Sequence, residues 1–336
     1  MSQAGRPRVW VSRPLFDDIV DGLREHFEVE AEDVDRAWSR EDIAGKLADK
    51  SGAILGLADR IDASVVAHAP LLRAVANRGV GYNNLDMPAL AAAGIVATNT
   101  PGVLDETVAD FAWALMLATA RRVTEAERWL RDGRWKEMSF HVLLGGDVHG
   151  RTLGILGMGR IGQAIARRAV GFRMPVIYHN RSRLDAAIER ECNARHVDRD
   201  TLLREADFLV LAVPMTAQTR HAIGASELAL MKRDAFLVNI ARGGVVDDAA
   251  LIAALAEKRI AGAGLDVFER EPAVPAAMLA LDNVVLTPHI GSASLATRRA
   301  MARMAVDNLI AALGFGPQAG RPPNVIHADP SLARAP

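Results

Sequence analysis

The apolar residues in the first third of the chain fall in short, evenly interrupted runs. Those near residues 8–11, 52–57, 72–77 and 95–98 are too short for helices and are bounded by polar or turn-forming residues, so they predict buried strands. Between them, residues 16–26, 40–48 and 88–93 carry apolar positions at helical spacing. Strands separated by helices require crossover connections, and crossovers build a mostly parallel sheet. A broader apolar helix pattern begins near Val103 and passes through Asp110, Trp113, Leu117 and Arg121, predicting a bridge between two domains. Residues 133–150 then lose all periodicity and hold Trp135, Phe140, His141 and four glycines. They predict a long loop of the kind used for function or for an interface.

The alternation resumes with Thr152-Leu153-Gly154-Ile155-Leu156 as a strand, a helix through Gln163 to Ala169, and Pro175-Val176-Ile177-Tyr178 as the next strand. Further strands are expected at 207–213, 235–240, 262–267 and 284–288. A last helix over 295–313 lies past the final strand and is expected to pack back on the first domain. The fold class is α/β, with two doubly wound parallel-sheet domains and no internal repeat. Residues 1–103 and 291–336 are expected to form a discontinuous, flavodoxin-like substrate domain, and residues 104–290 a Rossmann domain inserted into it. From His327 onward the chain looks like a tail with no core to join.

The inserted domain carries Gly157-Met158-Gly159-Arg160-Ile161-Gly162 between its first strand and helix. In that setting the first glycine makes the tight turn, the second lets a pyrophosphate approach the backbone, and the third lets helix and strand pack closely. Phosphates then meet the unpaired N–H groups and positive end of the helix. No Gly-Lys-Ser/Thr follows, which excludes a P-loop and leaves a dinucleotide. At the end of the second strand, where a carboxylate would normally take the ribose 2′-hydroxyl, stand Asn180, Arg181, Ser182 and Arg183. A carboxylate there would repel a 2′-phosphate and guanidinium groups would pair with it, so NADPH is expected over NADH, with NADH still possible.

Bulk composition narrows the rest. With 336 residues, half of them hydrophobic, the chain can fill two cores, and a formal net charge of -1 gives no footprint for nucleic acid. The single cysteine, Cys192, has no partner for an internal disulfide or a metal site, which fits a reducing cytoplasm. Residues 1–7 lack the apolar core of a signal peptide, and the apolar stretch 111–120 is about half a bilayer span, so no membrane role is expected.

In open parallel sheets ligands bind at the carboxyl ends of strands. Three polar residues stand just beyond such ends: Arg242 after Phe236-Leu237-Val238-Asn239-Ile240-Ala241, Glu271 after Gly264-Leu265-Asp266-Val267-Phe268-Glu269-Arg270, and His289 after Val284-Val285-Leu286-Thr287-Pro288. Singly, each could be a salt-bridge partner or a turn residue. Together they offer what carbonyl reduction needs: a cation for a carboxylate, a proton donor and an acid to orient it.

These segments, with Gly243-Gly244-Val245-Val246-Asp247, Pro272 and Ile290-Gly291-Ser292-Ala293, resemble the D-isomer-specific 2-hydroxyacid dehydrogenases over nearly the whole chain. Gly79-Val80-Gly81-Tyr82-Asn83-Asn84 and Tyr178-His179-Asn180-Arg181-Ser182-Arg183 are most similar to the glyoxylate, hydroxypyruvate and 2-ketogluconate reductases of that family. The resemblance implies that Arg242 holds the carboxylate of a 2-oxo acid and polarises its keto oxygen, a bidentate task lysine could not copy. It implies that His289 gives the proton and that Glu271, on its other ring nitrogen, favours the charged imidazole. A hydride from NADPH then yields the D-hydroxy acid. Backbone N–H groups of Val80 and Gly81 would bind the substrate carboxylate, with Leu57, Arg78 and Ser292 also lining the substrate site. Thr107, Val213, Pro214, Thr219, Ile240, Ala241, Asp266, His289 and Gly291 would join the fingerprint in holding the cofactor, Asp266 at the nicotinamide carboxamide and Pro214 at the adenine. The loop with Phe140 and His141 would reach a partner subunit in a homodimer. Rival expectations are an NAD-linked relative acting on phosphoglycerate, D-lactate, phosphite or formate, the last using glutamine where Glu271 stands, and a dinucleotide-sensing corepressor.

Overall fold

The computed structural model describes residues 6–326. Its strands are β1 (Arg8–Val11), β2 (Glu28–Ala31), β3 (Gly52–Leu55), β4 (Ala74–Asn77), β5 (Val96–Thr98), β6 (Leu153–Leu156), β7 (Val176–His179), β8 (Ala194–His196), β9 (Phe208–Leu211), β10 (Phe236–Asn239), β11 (Gly262–Leu265) and β12 (Val284–Leu286). They form a five-stranded sheet ordered β2-β1-β3-β4-β5 and a seven-stranded sheet ordered β12-β11-β10-β9-β6-β7-β8, parallel throughout. The chain divides into two compact units, one of residues up to Leu104 together with 294–326, the other of 105–293.

In the first unit the two-residue period of a strand sorts the core into two layers. Val9, Val11, Ile54 and Ala76 face the helix Leu295–Ala312, through Ala302, Ala305, Val306 and Leu309. Trp10, Ala53, Leu55 and Val75 face the opposite way, onto Ile43, Leu47, Val65 and Leu90. The helix Leu295–Ala312 therefore packs on β3, β4 and β5 although about two hundred residues of chain separate it from them. Edge strand β2 was not expected. Its sequence Glu-Val-Glu-Ala is half exposed and carries little apolar signal.

In the second unit the helix Asp105–Ala120 lies against β10, β11, β12 and the helix Arg160–Ala169. It is a core element of this unit, buried through Ala109, Ala112, Met116 and Ala120. A helix over Val123–Arg131, which the sequence did not lead us to expect, follows, set off by Arg122 in the left-handed conformation (φ 54°). Residues 133–150 carry neither helix nor strand, as expected of a loop. The tail expected from His327 onward lies outside the described residues. Among the described residues no helix is long and apolar enough to cross a membrane, and no cluster of His, Cys, Asp and Glu could hold a metal. Cys192 is buried and unpaired.

Candidate active site

The fingerprint begins where β6 ends. Gly157 has φ +100°, and a Cβ there would stand 2.7 Å from the Ala212 carbonyl carbon, so no other residue fits. A Cβ on Gly162 would meet the Gly157 carbonyl oxygen at 2.4 Å, which is the close helix–strand contact the motif requires, whereas a Cβ on Gly159 would project into open space. Gly159 caps the helix Arg160–Ala169 without a side chain, leaving its first-turn N–H groups free to meet phosphate oxygens. This cradle fits a dinucleotide pyrophosphate.

The residues beyond β7 are more constrained than the sequence suggested. Asn180 spends its side-chain oxygen on the Met158 N–H at 2.7 Å, buttressing the glycine turn. Arg183 donates from Nε and Nη2 to Glu189 at 2.9 and 2.7 Å, and the same carboxylate accepts from the Tyr178 hydroxyl at 2.7 Å. The hydrogen bond from Arg183, followed by that from Tyr178, draws Glu189 down to about 2. Arg183 therefore keeps only the Nη1 side of its fork for a ligand. Arg181 and Ser182 are exposed beside it. The loop after β9 is pinned by Thr219, whose hydroxyl donates to the Pro214 carbonyl at 2.6 Å and accepts from the Thr216 N–H at 2.8 Å. Val213 is half-buried and Pro214 exposed, while Thr107 sits half-buried in the first turn of the helix Asp105–Ala120.

Arg242, Glu271 and His289 come together at the carboxyl ends of the seven-stranded sheet. Beyond β10, Ile240 and Ala241 are buried. Asn239 shapes this turn by accepting from the Ala241 N–H at 3.0 Å and donating to the Arg242 carbonyl at 3.1 Å. Arg242 donates to the Ala241 carbonyl at 2.7 Å; burial lowers its pKa, while the charge of Glu271 opposes that fall. Glu271 accepts from the Phe268 N–H at 3.0 Å and lies 2.8 Å from His289 Nδ1. Burial raises the pKa of Glu271, but the hydrogen bond and charge of His289, with help from Phe268 and Arg242, outweigh it and leave the net value lowered. Nδ1 is thus engaged by a carboxylate and Nε2 is the nitrogen left for a substrate.

Asp266 holds this histidine in place. Its buried carboxylate accepts from Thr287 Oγ1 and the Ile290 N–H, both at 2.8 Å, and from the Gly291 N–H at 2.7 Å, while its backbone carbonyl accepts from the His289 N–H at 2.9 Å. The histidine backbone is left-handed (φ 55°), a conformation that this set of bonds over-determines. Ser292 follows, half-buried.

The first unit holds the other expected substrate residues. The carbonyls of Gly79, Val80 and Gly81 accept from the Thr100 N–H at 3.2 Å, Asn99 Nδ2 at 2.8 Å and Asn77 Nδ2 at 2.8 Å. Every acceptor of that loop is thereby turned to the scaffold. Among the described residues the N–H groups of Val80 and Gly81 donate to nothing, which makes the loop a neutral cradle for an anion. Leu57 packs so closely on Gly79 that a Cβ there would sit 2.5 Å from its methyl, and Arg78 donates to the Pro14 carbonyl at 2.9 Å. The sequence reading missed Asn77, Asn99, Asn239, Tyr178 and Glu189. Two of these carried a signal, since Asn77 and Asn239 are each the one polar residue closing an apolar strand run.

Residues 113–291 match the NAD-binding domain of the D-isomer specific 2-hydroxyacid dehydrogenases. The chain is 51% identical over 310 residues to a glyoxylate reductase of Thermococcus gammatolerans, covering 91% of this chain and 92% of that one. It is 47% identical over 334 residues to a glyoxylate reductase of Korarchaeum cryptofilum, covering 98% and 99%. Its structure is similar to that of an NADPH-dependent glyoxylate/hydroxypyruvate reductase from Sinorhizobium meliloti in complex with NADP and malonate, with a TM-score of 0.86, 39% identity and coverage of 98% and 100%. The paired cradle and triad and the extent of this identity make the chain a member of the D-isomer-specific 2-hydroxyacid dehydrogenase family, an NAD(P)-dependent oxidoreductase.

Proposed function

We propose that this protein reduces small 2-oxo acids, glyoxylate and hydroxypyruvate first and 2-ketogluconate among the larger ones, to D-2-hydroxy acids with NADPH as the preferred cofactor. The observation that carries the chemistry is the 2.8 Å contact between Glu271 and His289 Nδ1 with Arg242 within electrostatic reach. When bound, the nicotinamide supplies the hydride. His289 Nε2 delivers a proton to the carbonyl oxygen, and Glu271 stabilises the imidazolium that carries it. Arg242 holds the substrate carboxylate and polarises the carbonyl, and its burial strengthens both interactions. In the first unit, the N–H groups of Val80 and Gly81, which have no acceptor among the described residues, are proposed as carboxylate donors. Asp266, by fixing the backbone on both sides of His289, sets the direction of proton delivery.

The Arg181 and Arg183 pair, with no carboxylate at Asn180, supports NADPH, and the names of the relatives support glyoxylate and hydroxypyruvate. Catalytic efficiency with NADPH and with NADH, for glyoxylate, hydroxypyruvate, pyruvate and 2-ketogluconate, tests the proposal. NADPH is expected to win by at least ~10-fold, the effect of one or two charge-assisted hydrogen bonds, and Arg181→Ala with Arg183→Ala should erase the margin. Equal use of NADH would end the NADPH reading. Failure to turn over any oxo acid would end the reductase reading itself.

We further propose that the protein is a homodimer. Val123, Leu130, Trp135, Met138, Phe140, Val142 and Leu144 are all large apolar side chains left exposed within one short segment, Phe140 at 89% and Met138 at 85%. Such a patch is more than a monomer normally leaves to water.

A further inference from the structure

Arg242 and Glu271 sit on separate loops, beyond β10 and β11, so their spacing depends on how those loops are joined. Backbone packing brings the loops together. A Cβ on Gly243 would stand 1.8 Å from the Phe268 carbonyl carbon, which leaves room for no other residue there. Contact of this kind does not stop one loop from sliding along the other, but two side chains outside the triad do. Asp248, buried at the start of the helix Asp248–Ala256, accepts from the Glu269 N–H at 3.1 Å. His221, from the loop beyond β9, reaches both loops at once.

The backbone N–H of His221 donates to the Gly244 carbonyl at 2.8 Å, two residues past Arg242. Its Nε2 lies 2.9 Å from Glu269 Oε1, two residues before Glu271. Two more bonds tie this segment to the Arg242 loop, from the Ile223 N–H to the Val245 carbonyl at 3.0 Å and from the Asp247 N–H to the Ile223 carbonyl at 2.9 Å. The imidazole therefore projects from a fixed base. Its own backbone is left-handed (φ 48°), a conformation that Asn, Asp and His adopt more readily than other residues with a side chain. Glu269 is otherwise met by Arg220 at 3.5 Å, a long exposed side chain that holds position less well than a half-buried ring. Among the described residues neither His221 nor Glu269 hydrogen-bonds a side chain of the triad, so any effect on it passes through the two loops.

We propose that His221 is a positioning residue for the reduction: through Gly244 and Glu269 it locks the loop that carries Arg242 to the loop that carries Glu271, and so sets the spacing between the group that holds the substrate carboxylate and the acid that protonates the carbonyl. This rests on the reading of Arg242 as the carboxylate holder and of His289 as the acid that Glu271 orients. Every contact involved lies within the second unit. A misplacement of about 1 Å in either holder is enough to cost ~100-fold in rate, so a lock away from the chemistry still governs it.

The test is steady-state kinetics with NADPH and glyoxylate or hydroxypyruvate, alongside NADPH binding followed by fluorescence, all below the melting temperature of each protein. The proteins compared are the native one, His221→Asn, Glu269→Ala, Glu269→Gln and the double variant His221→Asn with Glu269→Ala. Asparagine tolerates the left-handed backbone but is too short to reach Glu269, so His221→Asn removes the side-chain contact and keeps the backbone bond to Gly244. His221→Asn and Glu269→Ala should each lower kcat/KM by about 10- to 100-fold, with KM for the oxo acid raised, kcat lowered and NADPH binding unchanged. The double variant should lose no more than either alone, because both remove one link. Glu269→Gln, which keeps an oxygen to accept from Nε2, should recover most of what Glu269→Ala loses. Native kinetic constants in either single variant overturn the proposal. A loss that NADPH binding shares overturns it as well, since that would mark a role in the fold alone, and so does a Glu269→Gln protein as impaired as Glu269→Ala. A native protein that reduces neither oxo acid ends the reductase reading and this proposal with it, whereas one that reduces them confines any failure to His221.

Discussion

His289 and Glu271 show how much one pair of side chains decides. His289→Asn should lower kcat by about 10²–10⁴-fold with the fold intact, as steady-state rates and a thermal melt would show. The pH behaviour follows from Glu271, whose folded pKa is lowered. Its contribution to stability and to orienting His289 is fully present above the ordinary carboxyl range and is lost as pH falls through the lowered value. The native protein should therefore keep an oriented histidine well into mild acid. Glu271→Gln, unable to stabilise the imidazolium, should lose about 10²-fold or more in kcat at neutral pH, and its remaining rate should not follow the Glu271 titration; a kcat–pH profile of both proteins checks this. Arg242, Glu271 and His289 were legible in the sequence because each follows an apolar strand run. Asp266 was legible only by resemblance. Its bonds to Thr287, Ile290 and Gly291 join parts of the chain more than twenty residues away, which no local pattern encodes.

Among the elements, buried strands announced themselves, as did the largely buried edge strands β5 and β12, whereas the exposed edge strands β2 and β8 did not. β6, β9 and β10 are almost wholly buried and read as continuous apolar runs. β2 and β8 lie at the outer edges of their sheets, with Glu28, Glu30 and Arg195 in view of solvent, and their pairing comes from the neighbouring strand instead of from their own hydrophobicity. The loop that follows β7 shows the same limit. Arg181 and Arg183 were visible as charges, but the carboxylate that restrains Arg183 lies in the helix Ala186–Glu191, and its burial was not. That restraint should loosen in acid. Glu189 stabilises its surroundings above its ordinary value of 4.5 and loses this effect as pH falls toward about 2. The protection of the Leu184 amide, which donates to the Tyr178 hydroxyl, corrected for the intrinsic exchange rate at each pH, should fall across that window ahead of the β6 and β9 amides; a simultaneous fall would mean that Glu189 does not anchor the loop.

For the whole molecule, the helix Leu295–Ala312 belongs with the five-stranded sheet that the chain left near residue 104, a return that the sequence signalled by placing a helix beyond the last strand. The sequence marked residues 133–150 as a long loop and gave Phe140 and His141 to a partner subunit, but it gave no sign of the helix Val123–Arg131 before it, whose Val123 and Leu130 are exposed as well. Serine at Met138, Phe140 and Leu144 should convert a dimer to a monomer at micromolar concentration, as sedimentation would show; an unchanged mass would place the dimer interface elsewhere or nowhere. Asn77 and Asn239 repeat one local design, each within its own unit: each is the buried last residue of a strand and turns its amide NH2 back onto a carbonyl a few residues on, of Gly81 in one and Arg242 in the other. Asn77→Asp and Asn239→Asp, equal in size, would set an acceptor against an acceptor in a buried site, and each should lower the thermal melting temperature together with the rate. The same replacement is what slow hydrolysis of an asparagine produces. Hydrolysis at either position would therefore act as the substitution does, replacing a donor by a second acceptor opposite the Gly81 or Arg242 carbonyl.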